Sequence, residues 1–159
     1  MDPPVLIAFD GSPAARQAVT AAGDLLAPRQ VIVVTVWEEG LAYTPTVDAT
    51  EIGPMVPTID PETAHEVDVS LHEQAERVAS EGAELASSVG LDAMPLATPD
   101  AGNVAETLVE LADQRNAAAI VIGSRGLSGL RARLEGSASN GVVKRASCPV
   151  IVVHEAEQS

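Results

Sequence analysis

Apolar runs and helical spacings alternate along this chain. Val5-Leu6-Ile7-Ala8-Phe9 is apolar on both faces and stops at Asp10-Gly11-Ser12, the pattern of a buried parallel strand. Ser12-Pro13 reads as an N-cap followed by proline at the first helical position, and Ala15, Ala18, Val19, Ala22 and Leu26 follow at helical spacing. Val31 to Val36 is a second buried run. Leu71, Ala75, Val78, Gly82, Leu85 and Val89 then step by four and three, which keeps one face of a long helix buried, and Gly90 suits its C-terminal end. Ala93 to Ala97 is a weak strand, which Pro95 assigns to a sheet edge. Ala105, Leu108, Leu111 and Ala112 mark a third helix, and Ala118 to Ile122 a strand ending at Gly123. Residues 137–146 can form a fourth helix, and Pro149 to Val153 the last strand.

The order βαβαβαβαβ predicts an α/β fold, a doubly wound parallel sheet with helices on both faces. Ligands of such sheets bind beyond the carboxyl ends of the strands, where the strand order reverses. If the first and fourth strands are neighbours there, Asp10-Gly11-Ser12 and Gly123-Ser124-Arg125-Gly126 converge on one crevice. Residues 38–60 carry Pro45, Pro54 and Pro57 with no periodicity and read as a long loop, either a lid over a ligand or unconstrained padding. No internal repeat and no second domain is visible, so 1–159 reads as one domain.

Composition narrows the function. Hydrophobic residues make up 46% of the 159, enough for one core, but aromatics only 2%, too few to stack bases as single-strand binders do. A formal charge of -14 repels nucleic acid and anionic membrane. One cysteine, Cys148, excludes an intrachain disulfide. No stretch approaches the roughly 18 apolar residues of a membrane span, and the N-terminus lacks a basic signal-peptide region, so the expectation is a cytoplasmic protein. Against this acidity, Arg125, Arg131, Arg133, Lys144 and Arg145 lie between 123 and 145 with only Glu135 opposing them, a local charge of +4. That cluster reads either as a basic solvated helix face or as an anion site.

The glycines favour the anion site. Gly123 and Gly126 follow a buried strand, where bare backbone can turn and approach a ligand, and Gly129 adds freedom. Gly136-Ser137 opens a helix whose free N–H groups and dipole favour phosphate, with hydroxyls from Ser137 and Ser139. Neither GxxxxGK[ST] nor GxGxxG is present, which disfavours the common phosphate loops and a dinucleotide site.

The spacing Gly123-x2-Gly126-x9-Gly136-Ser137 resembles the nucleotide-binding motif of the universal stress protein family. The strand ending in Asp10, the strand ending near Val36 and the ending Cys148-Pro149-Val150-Ile151-Val152-Val153 fit in order, so the resemblance spans nearly the whole chain. It implies a Rossmann-like sheet of the adenine nucleotide alpha hydrolase kind, five strands in order 3-2-1-4-5 with four helices. It implies an adenine nucleotide, ATP, with Mg2+ or Mn2+ held through the phosphates. Asp10 would lie near ribose and adenine beside the backbone of Ala8 and Phe9, Val36 against the base, and Ile122 and Gly123 on the ribose side. Gly126, Gly136, Ser137, Ala138 and Ser139 would hold the phosphates, and Arg125 would either pair with a phosphate or point to solvent. The family also implies a homodimer through Val150 to Val153, an apolar edge otherwise open to solvent.

No residue is placed to activate water, so hydrolysis would be slow at most. Signatures of adenylating enzymes, a nucleophile elbow and metal-ligand spacing among His65, His72 and His154 are all missing. A cyclic AMP binder, a weak ATPase and a nucleotide-free chaperone-like protein remain the alternatives to an ATP-binding stress-response regulator.

Overall fold

The computed structural model describes residues 2–37, 61–100, 102–124 and 137–154. The long loop at 38–60 and the positions Arg125, Gly126, Gly129, Arg131, Arg133 and Gly136 lie outside the described residues.

The elements in chain order are β1 (Val5–Ala8), α1 (Pro13–Leu26), β2 (Gln30–Trp37), α2 (Pro61–Ser88), β3 (Asp92–Pro99), α3 (Val104–Arg115), β4 (Ala119–Gly123), α4 (Ser137–Arg145) and β5 (Val150–Val153). The sheet is parallel, in order β3-β2-β1-β4-β5. Val5 pairs with Val31 on one side and with Ala119 on the other, so the reversal of strand order lies between β1 and β4. Pro95 sits on the edge strand β3 opposite Val33, where a missing N–H is tolerated.

Side chains alternate across the sheet and make two cores. Val5, Ile7 and Phe9 of the first segment join Val31, Val33 and Val121 under α1 and α2. Leu6, Ile32, Val34, Ile120 and Ile122 join Leu108, Leu111 and Val142 under α3 and α4. Leu6, Ile7, Leu108 and Ile120 are fully buried, each stabilising the fold by about 1.5–3 kcal/mol relative to exposure.

With so few aromatics, the layers close by approaching one another. Gly82 of α2 lies where a Cβ would stand 2.6 Å from Cδ1 of Phe9, and Gly141 of α4 where a Cβ would stand 2.7 Å from that of Ala105. The ends of the helices follow the local sequence. Ser12 Oγ accepts the Ala15 N–H at 3.1 Å, Asn103 Oδ1 accepts the Glu106 N–H at 2.9 Å, and α3 stops at Asn116 in the left-handed region, φ 50°.

α2 departs from the pattern-based expectation. It starts at Pro61, ten residues before Leu71, and runs for 28 residues, about 42 Å. Among the described side chains of its first turns, Glu62, His65, Glu66, Val67, Val69 and Ser70 are all exposed. His72 lies against Trp37 with ring centroids 5.3 Å apart, and its Nε2 is 2.9 Å from Glu76 Oε1.

Candidate functional site

Beyond the carboxyl ends of β1, β2 and β4 the α3/α4 face opens into a hollow of about 470 Å³, mouth included. Alternation in the strands decides what lines it. Ala8 of β1, Val34 and Val36 of β2 and Ile122 of β4 all project to this face. Val104 and Leu108 of α3 and Ala138 of α4 form the opposite wall. At the sheet end the lining is completed by Phe9, Asp10, Ala15 and Gly123. A small residue at position 8 is what leaves the space, because the neighbouring positions Leu6 and Ile120 on the same face are filled to 0% exposure.

Of the positions singled out in the sequence, Ala8, Phe9, Asp10, Val36, Ile122, Gly123 and Ala138 come together around this hollow. Ser139, 6% exposed, follows Ala138 in the first turn of α4, and Ser137 is that helix's first residue. Two of these residues contribute differently from the sequence reading. The Phe9 ring is buried on the α1/α2 side, beside Gly82 and Val33, so Phe9 meets the hollow through its main chain. Gly123 has a packing reason to lack a side chain: a Cβ there would stand 3.0 Å from the carbonyl oxygen of Ala14 in the first turn of α1.

Ala15, Val34, Val104 and Leu108 also line the hollow, and the sequence does not mark them for it. Each reads as ordinary core, since nothing in an apolar pattern separates a residue facing a hollow from one facing a neighbour. Val34 alone carries a signal, two residues from Val36 on the same strand face.

Asp10 is exposed at the mouth. Its Oδ1 accepts the Ser12 N–H at 2.9 Å, which bends the chain from β1 into α1 through Gly11, held at φ +81°. All four helices run back from this end of the sheet. The starts of α1 and α3 are capped by Ser12 and Asn103, whereas α4 is preceded by Gly136, which has no side-chain acceptor to offer. An apolar slot with a carboxylate at its mouth suits a flat ring carrying hydroxyl groups. Burial pushes the Cys148 thiol up from its ordinary value, a backbone hydrogen bond opposes this, and the charge of Asp113 adds to the rise. Such a thiol is a poor nucleophile. Among the described residues no group of three or more His, Cys, Asp or Glu side chains could hold a metal ion, and no helix is long and apolar enough to cross a membrane.

The sequence model of the Universal stress protein family matches residues 2–154. The chain belongs to the universal stress protein family. Within the family, universal stress protein YxiE of Bacillus subtilis (strain 168) is 25% identical over 151 residues, covering 94% of this chain and 97% of that protein. A universal stress protein solved in complex with cAMP is 25% identical, covers 96% of each chain and superposes with a TM-score of 0.61. The universal stress protein of Archaeoglobus fulgidus solved in complex with dAMP has the same fold at 21% identity, with 95% and 97% of the chains covered and a TM-score of 0.59.

Proposed function

We propose that this protein binds an adenine nucleotide, ATP, in the crevice beyond β1 and β4 and acts as a nucleotide-dependent regulator. The observation that carries the reading is the hollow itself, where strands β1, β2 and β4 bring Ala8, Asp10, Val36 and Ile122 to one place. The base lies in the apolar slot against Val36, and ribose hydroxyls donate to the Asp10 carboxylate. The phosphates lie at Gly126, Gly136, Ser137, Ala138 and Ser139, where the first amides of α4 and its dipole favour negative charge. Arg125 either pairs with a phosphate or points to solvent, and a Mg2+ or Mn2+ ion reaches the site on the phosphates. Two relatives with this fold hold cAMP and dAMP, which supports an adenine nucleotide and leaves the phosphate number to be measured on this chain.

Among the described residues the one titratable side chain lining the hollow is Asp10, which this reading gives to the ribose, so the reading is of a binder with slow turnover at most. The half-buried strand Val150–Val153 is the edge through which two copies would pair, placing two nucleotide sites in one homodimer of the cytoplasm.

Calorimetric titration of the purified protein with ATP tests the reading, together with chromatography of nucleotide released on heating. Saturable binding that weakens at least about tenfold in Gly126→Ala with Gly136→Ala, about 1.4 kcal/mol or more, is the expected result. Absence of saturable binding at millimolar ATP, or an unchanged affinity in the double variant, contradicts it.

A further inference from the structure

Thr35 is 6% exposed and follows Val31 and Val33 on the α1/α2 face of β2. A buried hydroxyl is costly unless it is bonded. Thr35 Oγ1 donates to the carbonyl oxygen of Phe9 at 2.8 Å, while the Phe9 N–H donates to Val34 O, also at 2.8 Å. Both main-chain polar groups of Phe9 are therefore held by β2, one residue past the end of β1.

The peptide group joining Phe9 to Asp10 is planar, so fixing the Phe9 carbonyl fixes the direction in which Asp10 leaves the sheet. The other side of Asp10 is held by the 2.9 Å bond from the Ser12 N–H to Oδ1. The Phe9 ring cannot swing to compensate, because α2 presses on it at Gly82. The carboxylate at the mouth of the hollow is thus clamped on both sides, and the clamp on the strand side is a single side chain from the opposite face of the sheet.

We propose that Thr35 is a positioning residue for the nucleotide site: through the Phe9 carbonyl it sets the Asp10 carboxylate against the ribose hydroxyls. The inference rests on the reading of Asp10 given above. It predicts an effect on one part of the ligand only. Removing the hydroxyl lets Asp10 drift, which weakens recognition of the sugar hydroxyls and leaves the base slot and the phosphate end as they were.

The test measures Kd for ATP and for 2′,3′-dideoxy-ATP in the wild type, Thr35→Val and Thr35→Ser. Thermal unfolding of each variant shows that it is folded. In Thr35→Val, ATP should bind about fivefold more weakly while dideoxy-ATP changes by less than about twofold, the scale of one lost hydrogen bond. Thr35→Ser keeps the hydroxyl and should restore the wild-type preference. A general loosening would weaken both ligands alike, so an unchanged ratio with a lowered melting temperature overturns the proposal. Should Thr35→Val fail to fold, Thr35→Ser decides with the amide-detected scalar coupling between the Thr35 hydroxyl proton and the Phe9 carbonyl carbon in the wild type. Its absence overturns the proposal, and its presence with a preserved ratio in Thr35→Ser supports it. Wild-type protein that binds neither nucleotide sinks the functional reading itself, whereas equal wild-type affinities for the two leave ATP binding standing and remove the role given to Asp10.

Discussion

On the α1/α2 side of the sheet, Phe9 fills the space beyond Ile7, and Gly82 brings α2 down onto its ring. On the α3/α4 side the corresponding place beyond Leu6 is held by Ala8, and the walls stand apart around a hollow open to solvent. The same three strands supply both faces, one residue apart. A large residue at position 9 and a small one at position 8 are enough to make one face core and the other face a site. The two faces therefore respond differently to changes in volume: the first resists both loss and gain, and the second loses ligand before it loses stability.

Ile7→Ala should give the largest effect on the filled face. Ile7 is fully buried, and the change should cost about 2–5 kcal/mol by urea unfolding. Gly82→Ala comes next, since the added carbon lies 2.6 Å from the Phe9 ring. Overpacking of about 1–3 kcal/mol should outweigh the gain in helix propensity of about 1 kcal/mol, giving a lowered melting temperature. A stabilised Gly82→Ala variant would break the comparison, because the α1/α2 core would then have room.

The open face should behave in the opposite sense. Ala8→Leu places three more carbons in the hollow and should change stability by less than about 1 kcal/mol while weakening ATP binding at least about tenfold by calorimetry. Ser12→Ala should be smaller still. It removes the Oγ cap of α1 at about 1 kcal/mol in thermal unfolding and keeps the corner bond, which the Ser12 main-chain N–H donates to Asp10.

Much of this architecture was legible in the chain because its signals are local. The run Val5 to Phe9, the Ser12-Pro13 cap and the edge-marking Pro95 each specify their element within a few residues. The start of α2 was not legible, because the described side chains of its first turns are exposed and a periodic stripe is the mark a helix interior leaves. At the site, Asp10 and Gly123 stood out as polar or bare residues at strand ends. Val104 and Leu108 did not, since their place in a wall depends on how far α3 stands from the sheet, a distance set by every layer at once. Gly123 carried a clear signal whose packing cause was hidden: its closeness to Ala14 is a contact between the end of β4 and the first turn of α1.

The central claim is that the α3/α4 face, and not its twin, receives the adenine ring. A methyl-detected NMR titration with ATP tests it directly. Saturable shifts at Ala8, Val34, Val36, Leu108 and Ile122, with Val19, Val31, Val33 and Val121 unmoved, are the predicted result. No saturable shift at millimolar ATP, or shifts centred on the α1/α2 set, would contradict it.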